Sequence, residues 1–177
     1  VSAWRCGGRE VLYFDEERYA DPAKSIRGGI PVLFPICGNL PEDRLTVDGV
    51  NHRLVQHGFA RDLPWDLQEL EDQTGVRLCL DSTEETLVAY PFPFRLEMDV
   101  RLGTGVLDIS ITVHNRGDRT MPFSFGLHPY FSVGDLARTR LVGLAERCLN
   151  HLAMADADTA DQLTRLDQGV DFLTRPA

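Results

Sequence analysis

Apolar and polar residues alternate with period two through the middle of the chain, over 65–70, 76–81, 94–102 and 106–113. Successive strand side chains leave on opposite faces, so each run predicts a half-buried strand with one face in the core and one in water. The breaks fall at Asp72-Gln73-Thr74-Gly75, Gly103-Thr104-Gly105 and Asn115-Arg116-Gly117-Asp118, compositions that favour turns. Strands joined this closely predict an antiparallel meander, and a meander with one apolar face predicts an all-β sandwich. Helix is scarce: 15–20 fits a single turn and 158–166 a short helix capped by Asp158. The Ala- and Asp-rich stretch 153–161 reads as a solvated surface excursion. One compact domain over 1–177 is expected, without repeats or linkers.

Two segments interrupt the alternation and carry chemistry. Gln56-His57-Gly58-Phe59-Ala60-Arg61 and Phe125-Gly126-Leu127-His128-Pro129-Tyr130-Phe131 each set one histidine among aromatic and small residues. Imidazole has an unperturbed pKa of about 6.5 and exchanges protons near neutrality, while aromatic neighbours exclude water and offer a flat apolar wall. A single such histidine reads first as a core imidazole satisfied by backbone; the pair is what points to proton transfer. Pro129 biases His128 away from the helical region, as on a strand edge. A third segment, Arg27-Gly28-Gly29-Ile30-Pro31, leads into Val32-Leu33-Phe34-Pro35-Ile36-Cys37-Gly38-Asn39. Its two prolines remove backbone donors, so it predicts an irregular or edge segment rather than a central strand.

Composition narrows the partners. The 177 residues are 43% hydrophobic, enough for a core, and carry a net charge of −9 with a pI near 4.9. That acidity disfavours nucleic acid, which demands a basic surface. It leaves open a small anion met by local arginines such as Arg27 and Arg61. No run of about 18 apolar residues is present to span a membrane. Residues 1–9 lack the apolar core of a signal peptide. Cys6, Cys37, Cys79 and Cys148 have no paired spacing, which argues against a zinc cluster or a disulfide scaffold and fits a reducing cytoplasm.

Taken in order, the segments 27–31, 57–65, Tyr90-Pro91-Phe92-Pro93-Phe94 and 127–131 resemble the aldose 1-epimerase (galactose mutarotase-like) family, most closely its hexose-6-phosphate mutarotase-like branch. The resemblance runs along nearly the whole chain. It implies an antiparallel β-supersandwich that interconverts the α and β anomers of a hexose or hexose 6-phosphate by opening and reclosing the ring, without cofactor or metal. It gives His128 the acid role at the ring oxygen and His57 a hydrogen-bonding, charge-stabilising role. Arg27 and Arg61 would hold hydroxyls or phosphate, and Phe59, Tyr130 and Phe131 would shape the pocket wall, although each of these aromatics fits core packing equally well. It also implies strands before Val1 and after Ala177, the latter carrying the glutamate that acts as base. On that expectation the chain is incomplete at both ends and turns over little by itself.

Other chemistries fit less well. A cupin-type metal site needs closely spaced His-x-His with a carboxylate, which neither His57 nor His128 has. Glycoside hydrolysis needs two carboxylates flanking one bond, and the Glu84-Glu85 doublet, if extended, points to opposite faces. No nucleophile elbow is present for a serine hydrolase. His52 and His114 are expected at the surface, and His151 has no assigned role. Two classes remain: a mutarotase, or a non-catalytic sugar-binding or sugar-sensing domain of the same fold. The glutamate expected past position 177 separates them.

Overall fold

A computed structural model describes residues 1–21, 23–24, 27–150, 153–164 and 172–174. They form two compact units, Val1–Phe131 and Ser132–Ala177. The first unit begins with β1 (Arg5–Cys6) and β2 (Arg9–Glu10), a small hairpin, and a single helical turn, α1 (Glu16–Tyr19). The carboxylate of Asp15 accepts from the Arg18 amide and starts that turn, as its position predicts. The proline-punctuated run supplies only two strand residues, β3 (Val32–Leu33). A second hairpin follows, β4 (Arg44–Val47) with β5 (Val50–Arg53).

The expected meander is the largest sheet. Strands β6 (Asp66–Glu69), β7 (Gly75–Asp81), β8 (Phe94–Gly103) and β9 (Val106–Asn115) pair in sequence order, each antiparallel to the next. Register sets the faces. Leu78, Met98 and Ile111 lie opposite one another and face the core. On the other face Arg77 grips Asp99 with two hydrogen bonds of 2.6 and 2.8 Å. Arg95 bonds Glu97 at 2.8 Å and Asp81 at 2.7 Å. These pairs hold the Asp99 and Glu97 carboxyls below the usual carboxylate range, chiefly through the Arg77 and Arg95 hydrogen bonds respectively.

The link between β7 and β8 departs from expectation. Glu84 and Glu85 open a helix, α2 (Glu84–Ala89), instead of lying on extended chain. Thr83 and Thr86 satisfy each other's amides in a capping box, and two acidic side chains in the first turn complement the helix dipole. Six residues are too few to display helical periodicity, so only the cap signalled it. The core gathers on the buried face of the meander: Leu80, Phe94, Leu96 and Met98, with Val32, Phe34, Leu54, Ala60, Tyr90 and Phe92 from the connecting segments. Phe34 is fully buried, its ring centroid 5.0 Å from that of Phe94 and 6.0 Å from that of Tyr90. Strand β10 (Gly126–Leu127) pairs antiparallel with β3.

In the second unit, β11 (Arg147–Asn150) pairs antiparallel with β12 (Ala155–Asp158) on one side and β13 (Phe172–Thr174) on the other. The stretch 153–161 is therefore not a plain surface excursion: four of its residues are strand, because the β11 ladder overrides the weak strand propensity of Ala and Asp. Asp158 caps α3 (Thr159–Leu163), accepting from the Ala160 amide. Thr164 is the C-cap of α3; positions 165–166 of the helix expected to 166, and His151, lie outside the described residues. Among the described residues no helix is long and apolar enough to cross a membrane.

Candidate active site

The two histidine segments meet beside β3. Strand β10 aligns on β3, and the His128 amide donates to the Pro31 carbonyl at 3.0 Å, which starts His128 at the strand edge. Tyr130 donates its amide to Gly29 at 2.9 Å, and its ring lies 4.9 Å from that of His128. His57 arrives from the other direction. The Phe34 carbonyl accepts the amides of both Phe59 and Ala60, at 3.0 and 3.2 Å, pinning the segment just past His57 to the core.

His57 itself has a positive φ of 67°, an unusual conformation for a side chain of this size that the surroundings must enforce. Gly38 enforces it twice. The His57 amide donates to the Gly38 carbonyl at 2.7 Å, and the Gly38 amide donates to His57 Nδ1 at 3.0 Å. An Nδ1 that accepts a backbone N–H has no proton of its own, so the neutral ring carries its hydrogen on Nε2. Protonating Nδ1 would break that bond. Burial, and then the positive charges of Arg61 and His128, push the His57 pKa further below the ordinary histidine value. His57 is thus a neutral ring presenting an Nε2–H donor.

The two rings face each other across a cleft, centroids 6.4 Å apart and planes at 65°. The cleft encloses about 250 Å³ and is lined by Arg27, Gln56, His57, Arg61, His128 and Tyr130, with Pro31 and Leu33 completing it. That is close to the lower end of the volumes typical of small-ligand pockets. Arg61 is one-quarter exposed and reaches Asp62 at 3.4 Å. Arg27 is exposed and has no carboxylate partner among the described residues. No lining residue is a carboxylate, so the cleft offers donors and cations but no strong base. No group of three or more His, Cys, Asp or Glu able to hold a metal occurs among the described residues.

Five of the seven residues singled out from sequence line this one cleft: His57, His128, Arg27, Arg61 and Tyr130. The other two lie elsewhere. Phe59 stacks on Phe94 at 6.0 Å and packs against the core. Phe131 is 58% exposed and bridges Leu12 outside the lining. Gln56 and Gly38 were not anticipated. Gln56 was visible as the residue preceding His57, but Gly38 lies 19 positions from its histidine and leaves no local signal. Elsewhere, His52 is half-buried with Nδ1 2.7 Å from the Val88 carbonyl, and His114 lies 3.5 Å from Glu97.

The aldose 1-epimerase family model matches residues 3–168. A protein of Escherichia coli named "Putative glucose-6-phosphate 1-epimerase" is 34% identical over 152 residues, covering 84% of this chain and 47% of its own. A solved structure from Synechocystis sp. PCC 6803 superimposes with a TM-score of 0.86 at 42% identity, covering 92% of this chain and 57% of that one. A solved Salmonella typhimurium protein described as a putative mutarotase gives 0.69 at 28% identity, covering 99% and 53%. The chain spans about half the length of the curated relatives it matches. The antiparallel meander, the matched residues and the agreement in backbone course together assign the fold as the galactose mutarotase-like β-sandwich, and the chain belongs to the aldose 1-epimerase family.

Proposed function

We propose that the cleft between His57 and His128 is the sugar site of a mutarotase acting on a hexose or hexose 6-phosphate. Ring opening takes a proton from the anomeric hydroxyl while another is delivered to the ring oxygen. The observation that carries this reading is the pair of facing imidazoles, 6.4 Å apart, of which one is held as a neutral Nε2–H donor. His57 then donates a hydrogen bond and stabilises developing charge on oxygen. Among the described residues the His128 ring has no such hydrogen-bond partner, and it serves as the acid. Arg61 and Arg27 hold hydroxyls or the phosphate, and Tyr130 packs on the sugar's C–H face. The lining holds no carboxylate, so no residue of the cleft is assigned as the base. The partner is a free sugar or sugar phosphate in the cytoplasm.

A lining without a carboxylate also supports a second reading, in which the chain binds sugar without turning it over. Polarimetry of freshly dissolved α-glucose and its 6-phosphate, paired with calorimetric titration of both sugars, separates the two. Binding with little mutarotation by the 177-residue chain is the expected result. Full turnover would place the base within these residues and refute the assignment; absence of binding to either sugar would refute the site.

A further inference from the structure

The bond that fixes the His57 tautomer depends on where the Gly38 peptide sits, and the segment holding it is anchored by one distant side chain. Ser124 lies 87 positions from Cys37 and binds its segment twice. The Ser124 hydroxyl accepts the Cys37 amide at 2.8 Å, and the Ser124 amide donates to the Pro35 carbonyl at 2.9 Å. Cys37 directly precedes Gly38, whose amide and carbonyl clamp His57. Ser124 in turn lies four residues before His128, on the segment that forms β10. Packing closes the same gap: a Cβ on Gly126 would stand 2.7 Å from Cys37 Sγ, so the two segments are in direct contact. Ser124 is itself exposed, so its hydroxyl contributes little by burial; what it supplies is the direction of one peptide plane.

We propose that Ser124 is a positioning residue of the sugar site: by holding the Cys37 amide it keeps the Gly38 N–H on His57 Nδ1, and so fixes His57 as the Nε2–H tautomer facing His128. The proposal deepens the sugar-site reading and rests on it for its functional consequence. Removing the hydroxyl leaves the Cys37 amide to water and releases the Ile36–Cys37 peptide plane, so the segment that carries the Gly38 N–H to Nδ1 loses its side-chain anchor. Once the Gly38 N–H leaves Nδ1, the ring loses the contact that made the two neutral tautomers unequal. A rigid donor becomes a mixture, and the cleft must reorder His57 each time it binds.

The test uses the 177-residue chain labelled with ¹⁵N-histidine, at a pH where His57 is neutral and with no sugar present. Wild type is expected to show one proton-bearing and one bare His57 nitrogen, assigned by their loss in His57→Asn. Ser124→Ala should draw the two shifts together, and Ser124→Thr, which keeps the hydroxyl, should restore them. Thr46→Ala, which breaks an exposed hydrogen bond to Asn51, should leave them unchanged. If Ser124→Ala does not fold, Ser124→Gly carries the test, because it also removes the hydroxyl acceptor and should draw the two shifts together in the same way. Glucose 6-phosphate should bind Ser124→Ala about three- to ten-fold more weakly, the scale of one hydrogen bond. Unchanged His57 shifts in Ser124→Ala, or equal changes in Thr46→Ala, would overturn the proposal. Altered shifts with no sugar binding by wild type would instead overturn the sugar-site reading and leave the role of Ser124 in fixing His57 intact.

Discussion

Replacing Gly58 by alanine tests whether the backbone around His57 is built as tightly as its geometry implies. Gly58 has a φ of +68°, and a Cβ there would stand 2.2 Å from the Phe34 carbonyl oxygen and 2.5 Å from its carbon. The left-handed conformation alone costs an alanine about 1 kcal/mol. The clash adds more, because the obstructing atom is backbone. That carbonyl accepts from both Phe59 and Ala60, and each bond is worth about 1 kcal/mol. Moving it also displaces Phe34, a fully buried side chain. Together these give a loss of about 3–5 kcal/mol, against a total of about 5–15 for a typical domain. Gly49 supplies the control. Its φ is +79°, but nothing lies within 4 Å of a Cβ built on it, so Gly49→Ala should cost about 1 kcal/mol from the dihedral angle alone. Urea titration followed by tryptophan fluorescence reads both, since Trp65 donates its indole N–H to the Ala60 carbonyl at 2.8 Å and reports on the affected segment. With a slope of about 1–3 kcal/mol per molar urea, Gly58→Ala should lower the midpoint by about 1–5 M and Gly49→Ala by a third or less of that. Equal midpoint shifts in the two variants would refute the close approach of Gly58 to Phe34.

Three further outcomes are expected. In a chain that turns over, His128→Ala should lower kcat about 100-fold or more with KM little changed, whereas His57→Ala should perturb both, as steady-state polarimetry will read; small equal effects would make both histidines structural. Arg61→Ala should weaken hexose 6-phosphate about ten-fold or more and free hexose less, with Arg61→Lys recovering only part, and equal calorimetric losses for the two sugars would defeat a phosphate contact. Stability should fall on acidification in two stages. The depressed His57 pKa contributes stability that is fully present above the unfolded value of 6.5 and lost as the pH drops through the lower folded value. The depressed Glu97 and Asp99 contribute in the same sense above their unfolded values of 4.5 and 3.8, lost as the pH drops further. Denaturation midpoints of His57→Asn and wild type that move in parallel from pH 8 to 5 would rule out the first stage.

The meander and its faces were legible because strand periodicity is written locally: Leu96, Met98 and Ile111 are apolar and their sequence neighbours polar, whatever lies across the ladder. Capping is local as well, so Asp15 and Asp158 marked their short helices. The six residues of α2 show how such a signal fails: a Thr–Thr box is weaker in sequence than in space, and neighbouring glutamates read alike on strand or helix. The residue types that line the candidate cleft were legible too, since histidine and arginine declare their chemistry wherever they stand. Their arrangement was not. That His57 and His128 face each other follows from the β3–β10 pairing, and that His57 carries its proton on Nε2 follows from the amide of Gly38. Phe59 and Tyr130 are both aromatics beside a histidine motif, yet one packs into the core and the other lines the cleft. Sequence determines which side chains are available and which face of a strand they share. Only long-range backbone hydrogen bonds, joining residues tens of positions apart, decide which of them meet and in which protonation state.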